Sequence, residues 1–170
     1  MAGFRVSKRR IFESNTLFDT KRGALRRTGR LLRVRQAGAH HVVTYKGAET
    51  AGKFKDREEL ELDIADSHKL TVILSRLDFV ARFRYEKYRT EYQRPRETGV
   101  AMLDETPIGV YLELEGSGAW IDHTTHRLGF GESDYITTSY YGLYIDYCGA
   151  HHLQPADMTW GALNGPAPSC

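Results

Sequence analysis

The sequence predicts an α+β protein built on an antiparallel β-sheet, and three observations lead to this prediction. Several segments alternate polar and apolar residues with a period of two, which places every second side chain on one face of a strand. Gly and Pro residues follow many of these segments closely, as turns between neighbouring antiparallel strands do. Three segments with one apolar side at 3.6-residue spacing interrupt the pattern, as helices packed on a sheet would.

The alternating segments cover much of the chain before residue 117. We predict strands at residues 10–19, 31–35, 42–46, 57–64, 83–92, 100–104 and 110–116. The sorting is clearest in residues 57–64, where Glu59, Glu61 and Asp63 fall on one side and aliphatic residues on the other. One face of the predicted sheet is therefore polar and the other apolar.

The three helical segments have recognisable ends. We predict a first helix capped by Asp66 or Ser67, a second over residues 120–128 that stops at Gly129, and a third that begins near Ser133 or Asp134. With 170 residues the chain fits one domain, which we place at 1–150 and follow with a C-terminal tail at 151–170.

Composition excludes several classes of protein. No apolar run approaches the roughly 18 residues of a membrane span, and the first residues have no apolar signal core, so we expect a soluble, cytoplasmic protein. The two cysteines, Cys148 and Cys170, are too few for a disulfide framework, and we expect free thiols.

The charged residues of the strands are sorted by sign. The basic positions are Arg33, Arg35, Lys46, Lys87 and Arg89, and the acidic positions are Glu59, Glu61, Asp63, Asp104, Glu113 and Glu115. One interpretation is an exposed sheet face with cross-strand ion pairs, each worth roughly 0.2–1 kcal/mol. The other is a barrel with its aliphatic sides under the helices and its ionic sides lining a water-filled tunnel.

A tunnel of this kind would suit phosphate chemistry. Converging arginines and lysines match phosphate oxygens, and carboxylates two residues apart on a strand offer hard oxygen ligands to Mg²⁺ or Mn²⁺. Such a combination points to phosphoryl or nucleotidyl transfer, where positioning and charge neutralisation supply most of the catalysis.

Seven short pieces carry a family resemblance. They are residues 15–20, 32–35, 44–47, 59–61, 86–89, 103–105 and 112–116. In this order and phase the chain resembles the CYTH superfamily of triphosphate tunnel metalloenzymes, over about residues 9 to 147. That group includes class IV adenylyl cyclases, thiamine triphosphatases and inorganic triphosphatases. The resemblance implies an eight-stranded antiparallel tunnel that binds a triphosphate together with Mg²⁺ or Mn²⁺.

The resemblance also implies roles for the ionic residues. The residues that would bind the triphosphate are Arg33, Arg35, Lys46, Lys87 and Arg89. Glu113 and Glu115 would bind the metal with Asp104 close by, and Glu59, Glu61 and Lys87 would act in catalysis. Glu59 and Glu61 would do so by orienting the basic groups or a metal-bound water.

One departure from the family pattern concerns the N-terminal end. Members of the family begin with a Glu-x-Glu-x-Lys strand followed by a helix, and neither precedes residue 15 here. We therefore expect a truncated member, with the first strand missing and the barrel open along one edge. The activity of such a chain is left open, although phosphate binding would survive more readily than metal binding.

Three functions remain as alternatives. The first is a class IV adenylyl cyclase-like reaction that converts ATP to cyclic AMP and pyrophosphate. The second is hydrolysis of inorganic triphosphate or an organic triphosphate such as thiamine triphosphate, and the third is non-catalytic triphosphate binding. We expect no nucleic-acid or membrane partner. After Lys46 the chain has 12 Lys and Arg against 20 Asp and Glu, which would repel a nucleic acid, and no segment suits a membrane. A homodimer is left open.

Overall fold

Seven strands form a single antiparallel sheet in the computed structural model, which describes residues 3–49 and 57–163. The strands are β1 (Arg5–Thr20), β2 (Leu31–Ala37), β3 (His40–Lys46), β4 (Glu59–Asp63), β5 (Phe79–Gln93), β6 (Val100–Thr106) and β7 (Gly109–Glu115). The helices are α1 (Ala24–Arg27), α2 (Ser67–Arg76), α3 (Gly118–Arg127) and α4 (Tyr140–Ala150). The order across the sheet is β4-β3-β2-β1-β5-β6-β7.

The two longest strands lie at the centre of the sheet. β1 has 16 residues and β5 has 15, and they pair along most of their length, so they connect the β2–β4 side to the β6–β7 side. Among the described strands, β4 and β7 are the sheet edges, and the barrel is not closed. The α+β class, the antiparallel strands and the flanking helices are confirmed, in a sheet with one open side.

The aliphatic face of the sheet is covered by α2. Asp66 caps this helix by accepting a hydrogen bond from the Lys69 backbone N–H at 2.9 Å, as predicted. Leu74 of the helix is buried against Phe18 of β1 and Val34 of β2. Burial of these apolar side chains fixes which face of the sheet packs against α2. Since successive residues of a strand point to opposite faces, the charged residues lie on the other face.

A second core lies on the ionic side of β5, under α4. Its buried residues are Phe83, Tyr85, Tyr144, Cys148 and Met158. Cys148 has a free thiol, whereas Cys170 lies outside the described residues. Met158 is fully buried and forms an isolated parallel bridge with Tyr85, so at least this part of the predicted tail packs on the sheet.

The prediction for the last helix was wrong at its start. Residues Glu132–Asp134 form only a short 3-10 turn, and the backbone at Tyr135 is extended. The helix begins at Tyr140, where the Ser139 side chain accepts a hydrogen bond from the Gly142 backbone N–H. Ser139 therefore caps the helix in the role that we had given to Ser133 or Asp134.

The arginine-rich segment before β2 forms a short helical turn, α1. Gly23 and Gly29 both have positive φ angles, of 69° and 67°, and bracket the turn. Asp19 accepts hydrogen bonds from the Leu25 and Arg26 backbone N–H groups, and these bonds lower its pKa despite the opposing effect of desolvation. Within the described ranges, no helix is long and apolar enough to cross a membrane.

Candidate functional site

The charged positions of the strands converge on one side of the sheet, which we call the ionic face. Its members are Glu13, Arg33, Arg35, Lys46, Glu59, Glu61, Lys87, Arg89, Asp104 and Glu113, joined by a continuous set of ion pairs. The basic residues of β2 and β3 therefore meet acids of β1 and β4.

The deepest part of the ionic face is centred on Asp104. This carboxylate is fully buried and lies 2.6 Å from Lys87 Nζ through Oδ2. Arg89 donates from Nε to Oδ1 at 2.7 Å and from Nη2 to Oδ2 at 2.6 Å. Lys87, only 2% exposed, also lies 3.7 Å from the Glu13 carboxylate. Lys87 thus lies between two buried acids, whereas Arg89 is held by buried Asp104 and by the half-exposed Glu113.

Strand register assembles this cluster. Lys87 and Arg89 share one face of β5 because they are two residues apart, and Arg89 stands opposite Asp104 of β6 while Lys87 stands opposite Glu13 of β1. Burial alone would raise the pKa of Asp104, but the hydrogen bonds from Arg89 and the charge of Lys87 outweigh it and hold that pKa well below its usual range. Asp104 is therefore ionised at neutral pH.

A second cluster lies on the β2–β4 side. Glu61 Oε1 accepts a hydrogen bond from Thr44 Oγ1 at 2.8 Å and from Arg33 Nη2 at 3.3 Å, and it lies 3.5 Å from Arg35. Lys46 donates to Glu59 at 2.7 Å. Thr44 is fully buried between Arg33 and Glu61, so a short hydroxyl fixes the spacing of the larger charged groups.

The environment shifts the pKa values of this second cluster. Desolvation opposes ionisation of Glu61, but the Thr44 hydrogen bond and the charges of Arg35 and Arg33 win and lower its pKa. Desolvation lowers the pKa of Lys46, and the nearby Arg33 charge adds to that effect against the stabilising contact with Glu59. Glu61 is consequently a weak base, and the Lys46 ammonium group loses its proton more easily than that of a surface lysine.

Acids and bases differ in their exposure. The side chains of the five basic residues are 2–19% exposed, whereas those of Glu59, Glu61 and Glu113 are 39–41% exposed. Glu13 and Asp104, by contrast, are buried. The buried acids hold the cations in place, and the half-exposed acids are the partners that an incoming anion can displace at low cost.

The sequence profile of the CYTH domain matches residues 4–136, which is more than half of the chain. The chain belongs to the CYTH family. A curated relative from Methanocaldococcus jannaschii, named "Putative adenylate cyclase", is 31% identical over 115 residues, covering 68% of this chain. The chain spans only 65% of the length of that relative.

Solved structures share the CYTH-like fold. One from Vibrio parahaemolyticus, also named as a "putative adenylate cyclase", has a TM-score of 0.67 at 16% identity and covers 81% of this chain and 82% of its own. A Pyrococcus horikoshii protein has a TM-score of 0.68 at 22% identity, with 85% and 88% covered. A Hippeastrum protein, described as a "putative adenylyl cyclase" with a dominant triphosphatase activity, has a TM-score of 0.62 at 16% identity, with 83% and 84% covered.

Of the three predicted ligands of the divalent metal expected for a CYTH protein, Glu113 and Glu115 are suited to bind it and Asp104 is not. Both oxygens of Asp104 already accept hydrogen bonds, so this carboxylate has little to offer a metal. In residues 3–49 and 57–163, no three His, Cys, Asp or Glu side chains stand close enough to hold one. Glu113 and Glu115 lie two residues apart on edge strand β7, and Mg²⁺ bound mainly by phosphates and water needs only one or two carboxylates. The metal-ligand role of all three residues stays a prediction.

Three residues of the site escaped the sequence prediction. Glu13 and Thr44 are in phase with predicted members of the ionic face, so strand alternation alone could have found them. Asn15 is fully buried next to Arg35 and Tyr85 in the register of β1, and neither atom of its amide has a hydrogen-bond partner within the described chain. Two signals pointed to it: it lies two residues after Glu13, and it opens the 15–20 piece of the family resemblance, which gave it no role.

Proposed function

We propose that this CYTH protein binds a nucleoside triphosphate with a divalent metal at the ionic face and converts ATP to cyclic AMP and pyrophosphate, as a class IV adenylyl cyclase-like enzyme. The observation that carries triphosphate binding is the set of five basic side chains, each at most 19% exposed and each anchored by a carboxylate. The name of the M. jannaschii relative supports the choice of a cyclase.

The two clusters would divide the work of binding. Lys87 and Arg89 are preorganised by buried Asp104, so they can face phosphate oxygens without further ordering. Arg33, Arg35 and Lys46 are held by the half-exposed Glu59 and Glu61, whose contacts can be exchanged for phosphate contacts. Guanidinium groups suit this exchange because their paired N–H donors match two oxygens of one phosphate.

Charge balance argues that a metal accompanies the triphosphate. Five acids on the ionic face already match the five bases, so a polyanion adds uncompensated negative charge unless acids turn away or a cation comes with it. A bound Mg²⁺ or Mn²⁺ supplies charge neutralisation at phosphate oxygens, and Glu113 and Glu115 would help to hold it.

The ionic residues then act on the reaction through charge. When the ribose 3′-hydroxyl attacks the α-phosphorus, its proton passes to solvent and the bond from the α-phosphorus to the pyrophosphate oxygen breaks. Negative charge grows on the departing pyrophosphate, and Lys87 and Arg89 would stabilise it. Glu61 has a lowered pKa and is a weak base, so we assign Glu59 and Glu61 to orienting the basic groups.

Triphosphate hydrolysis is the second candidate, and the Hippeastrum structure is the observation that favours it. That protein has the same fold and is described as having a dominant triphosphatase activity. The same cations would bind the triphosphate, but water would attack the terminal phosphorus instead of the ribose hydroxyl. The two reactions differ in their products, which makes them separable.

Product analysis tests the proposal. The protein is incubated with ATP, tripolyphosphate or thiamine triphosphate, each with Mg²⁺, with Mn²⁺ or with a chelator. Cyclic AMP and pyrophosphate from ATP support the cyclase, and orthophosphate supports the triphosphatase. Tight binding without any product would leave a binding module and overturn both reactions. Failure of all three ligands to bind would overturn the assignment of the ionic face.

Replacing Glu113 with glutamine is expected to weaken the metal dependence of triphosphate binding. The amide keeps the size of the side chain but removes the charge that attracts a divalent cation, so more Mn²⁺, about tenfold, is needed for half-maximal binding. Calorimetry at a fixed tripolyphosphate concentration and increasing Mn²⁺ measures this change in the metal requirement. Glu91→Gln is the matched control, because Glu91 pairs only with the exposed Lys8 in the described contacts. Equal metal requirements in both variants would remove Glu113 from the metal site.

A further inference from the structure

Helix α4 reaches the centre of the ionic face through one side chain. The Tyr140 hydroxyl donates a hydrogen bond to Asp104 Oδ2 at 2.6 Å. The same oxygen accepts from Lys87 and Arg89, so three donors share it. Tyr140 lies beyond residue 136, where the match to the family profile ends. The helix that follows the matched region therefore contacts the most buried acid of the site.

The Tyr140 ring contacts two other aromatic rings and one cation. It stacks on Tyr85 of β5, with ring centroids 5.6 Å apart, and meets the edge of Tyr111 of β7 at 5.8 Å. Lys87 Nζ lies 5.1 Å from its centre, within range of a cation–π contact. Burial and the negative charges of Glu113 and Asp104 raise the pKa of Tyr140, so the hydroxyl stays protonated as a donor.

We propose that Tyr140 is a positioning residue of the triphosphate site, which sets how strongly Asp104 holds Lys87 and Arg89. This inference rests on the proposed triphosphate binding. The hydroxyl takes up part of the hydrogen-bonding capacity of Asp104 Oδ2, which otherwise serves the two cations alone. With the hydroxyl present, the cations keep more of their attraction for phosphate oxygens. Without the hydroxyl, Asp104 binds the two cations more tightly, and their affinity for the triphosphate falls.

The position of α4 is fixed independently of any ligand. Tyr144, one turn after Tyr140, is 1% exposed, and its hydroxyl accepts a hydrogen bond from the Ala156 backbone N–H at 3.2 Å. Met158, two residues further, bridges to Tyr85 of β5. The segment after α4 therefore clamps the helix against the sheet and keeps Tyr140 over Asp104.

Tyr140→Phe is the variant that tests this proposal, because it removes the hydroxyl and keeps the stacked ring. We expect tripolyphosphate to bind about tenfold more weakly, because Asp104 then holds Lys87 and Arg89 more tightly, with KM raised and kcat little changed. Tyr141→Phe is the matched control, since the Tyr141 ring packs on Phe83 and no hydrogen bond of its hydroxyl is seen among the described contacts. Calorimetry compares both with the unchanged protein.

A second measurement needs no ligand. In nitrogen-15 spectra of the arginine side chains, the Arg89 Nη2 resonance is expected to move in Tyr140→Phe and to stay in place in Tyr141→Phe, because Nη2 shares Asp104 Oδ2 with the Tyr140 hydroxyl. Equal affinity in the two variants, or an unmoved Arg89 resonance, would overturn the positioning role. If the unchanged protein binds no triphosphate, the proposed function fails, while the Arg89 comparison still decides whether Tyr140 controls the cations.

Discussion

Lys87→Ala is expected to weaken tripolyphosphate binding about a hundredfold and to destabilise the fold at the same time. The ammonium group is 2% exposed, and its loss leaves Asp104 and Glu13 with a buried negative charge that the remaining contacts compensate only in part. Breaking a buried ion pair from one side costs roughly 3–5 kcal/mol. For the ligand, the loss of a central charge-assisted contact predicts at least about a hundredfold lower affinity.

Two measurements on the same sample separate these effects. Urea unfolding followed by circular dichroism gives the free energy of unfolding, and calorimetry below the transition gives the affinity. Lys69→Ala is the control, because the Lys69 side chain is 82% exposed on α2 and its ion pair with Asp66 is a surface contact. A stable Lys87→Ala protein with unchanged affinity would show that Lys87 does not belong to the binding site.

Strand alternation carried most of the prediction of the ionic face. A period of two fixes which residues of one strand share a side, so Lys87 with Arg89 and Glu59 with Glu61 could be paired from sequence. The register between strands could not be predicted in this way, because it depends on bulges and turns. β1 carries register shifts opposite β5 between Val6 and Lys8 and between Lys8 and Ile11, and no local signal fixes them.

The sequence also could not predict which acids of the site are buried and which are exposed. Asp104, Glu113 and Glu115 all alternate with apolar residues, and the pattern alone treats them alike. Only packing buries Asp104 beneath Tyr140 and Arg89, while Glu113 at the edge of the sheet stays 39% exposed. The sequence could suggest that a tyrosine hydroxyl of the last helix reaches the site, but it could not assign Tyr140 to Asp104, since these residues are 36 positions apart.

Burial also explains how one face can both hold its shape and admit a polyanion. The buried Glu13 and Asp104 are costly to desolvate and to separate from their cations, so they keep Lys87 and Arg89 in position. The half-exposed Glu59 and Glu61 remain solvated, and their ion pairs are correspondingly weak. We therefore expect ligand binding to rearrange the β4 side of the site and to leave the β5–β6 side unchanged.

Asp104→Asn is expected to be the most destabilising single exchange of nearly equal volume on the ionic face. The amide removes the charge that Lys87, Arg89 and Tyr140 all contact, and its N–H₂ group faces donors instead of acceptors. Of its two described ion pairs, Lys87 then keeps the one with Glu13, at 3.7 Å. We expect a loss of roughly 3–5 kcal/mol in the free energy of unfolding at pH 7, as for other broken buried pairs.

The loss should depend on pH in a defined direction. The pKa of Asp104 is lowered in the folded protein, so its stabilising effect is complete above the unfolded pKa of about 3.9 and disappears as pH falls toward the folded value. The difference between the unchanged protein and Asp104→Asn should therefore be constant from about pH 5 to 8 and shrink below about pH 4. Urea unfolding across this range measures it, with exposed Asp146→Asn as the control. A difference that stayed the same or grew on acidification would mean that Asp104 is not held as a buried carboxylate between Lys87 and Arg89.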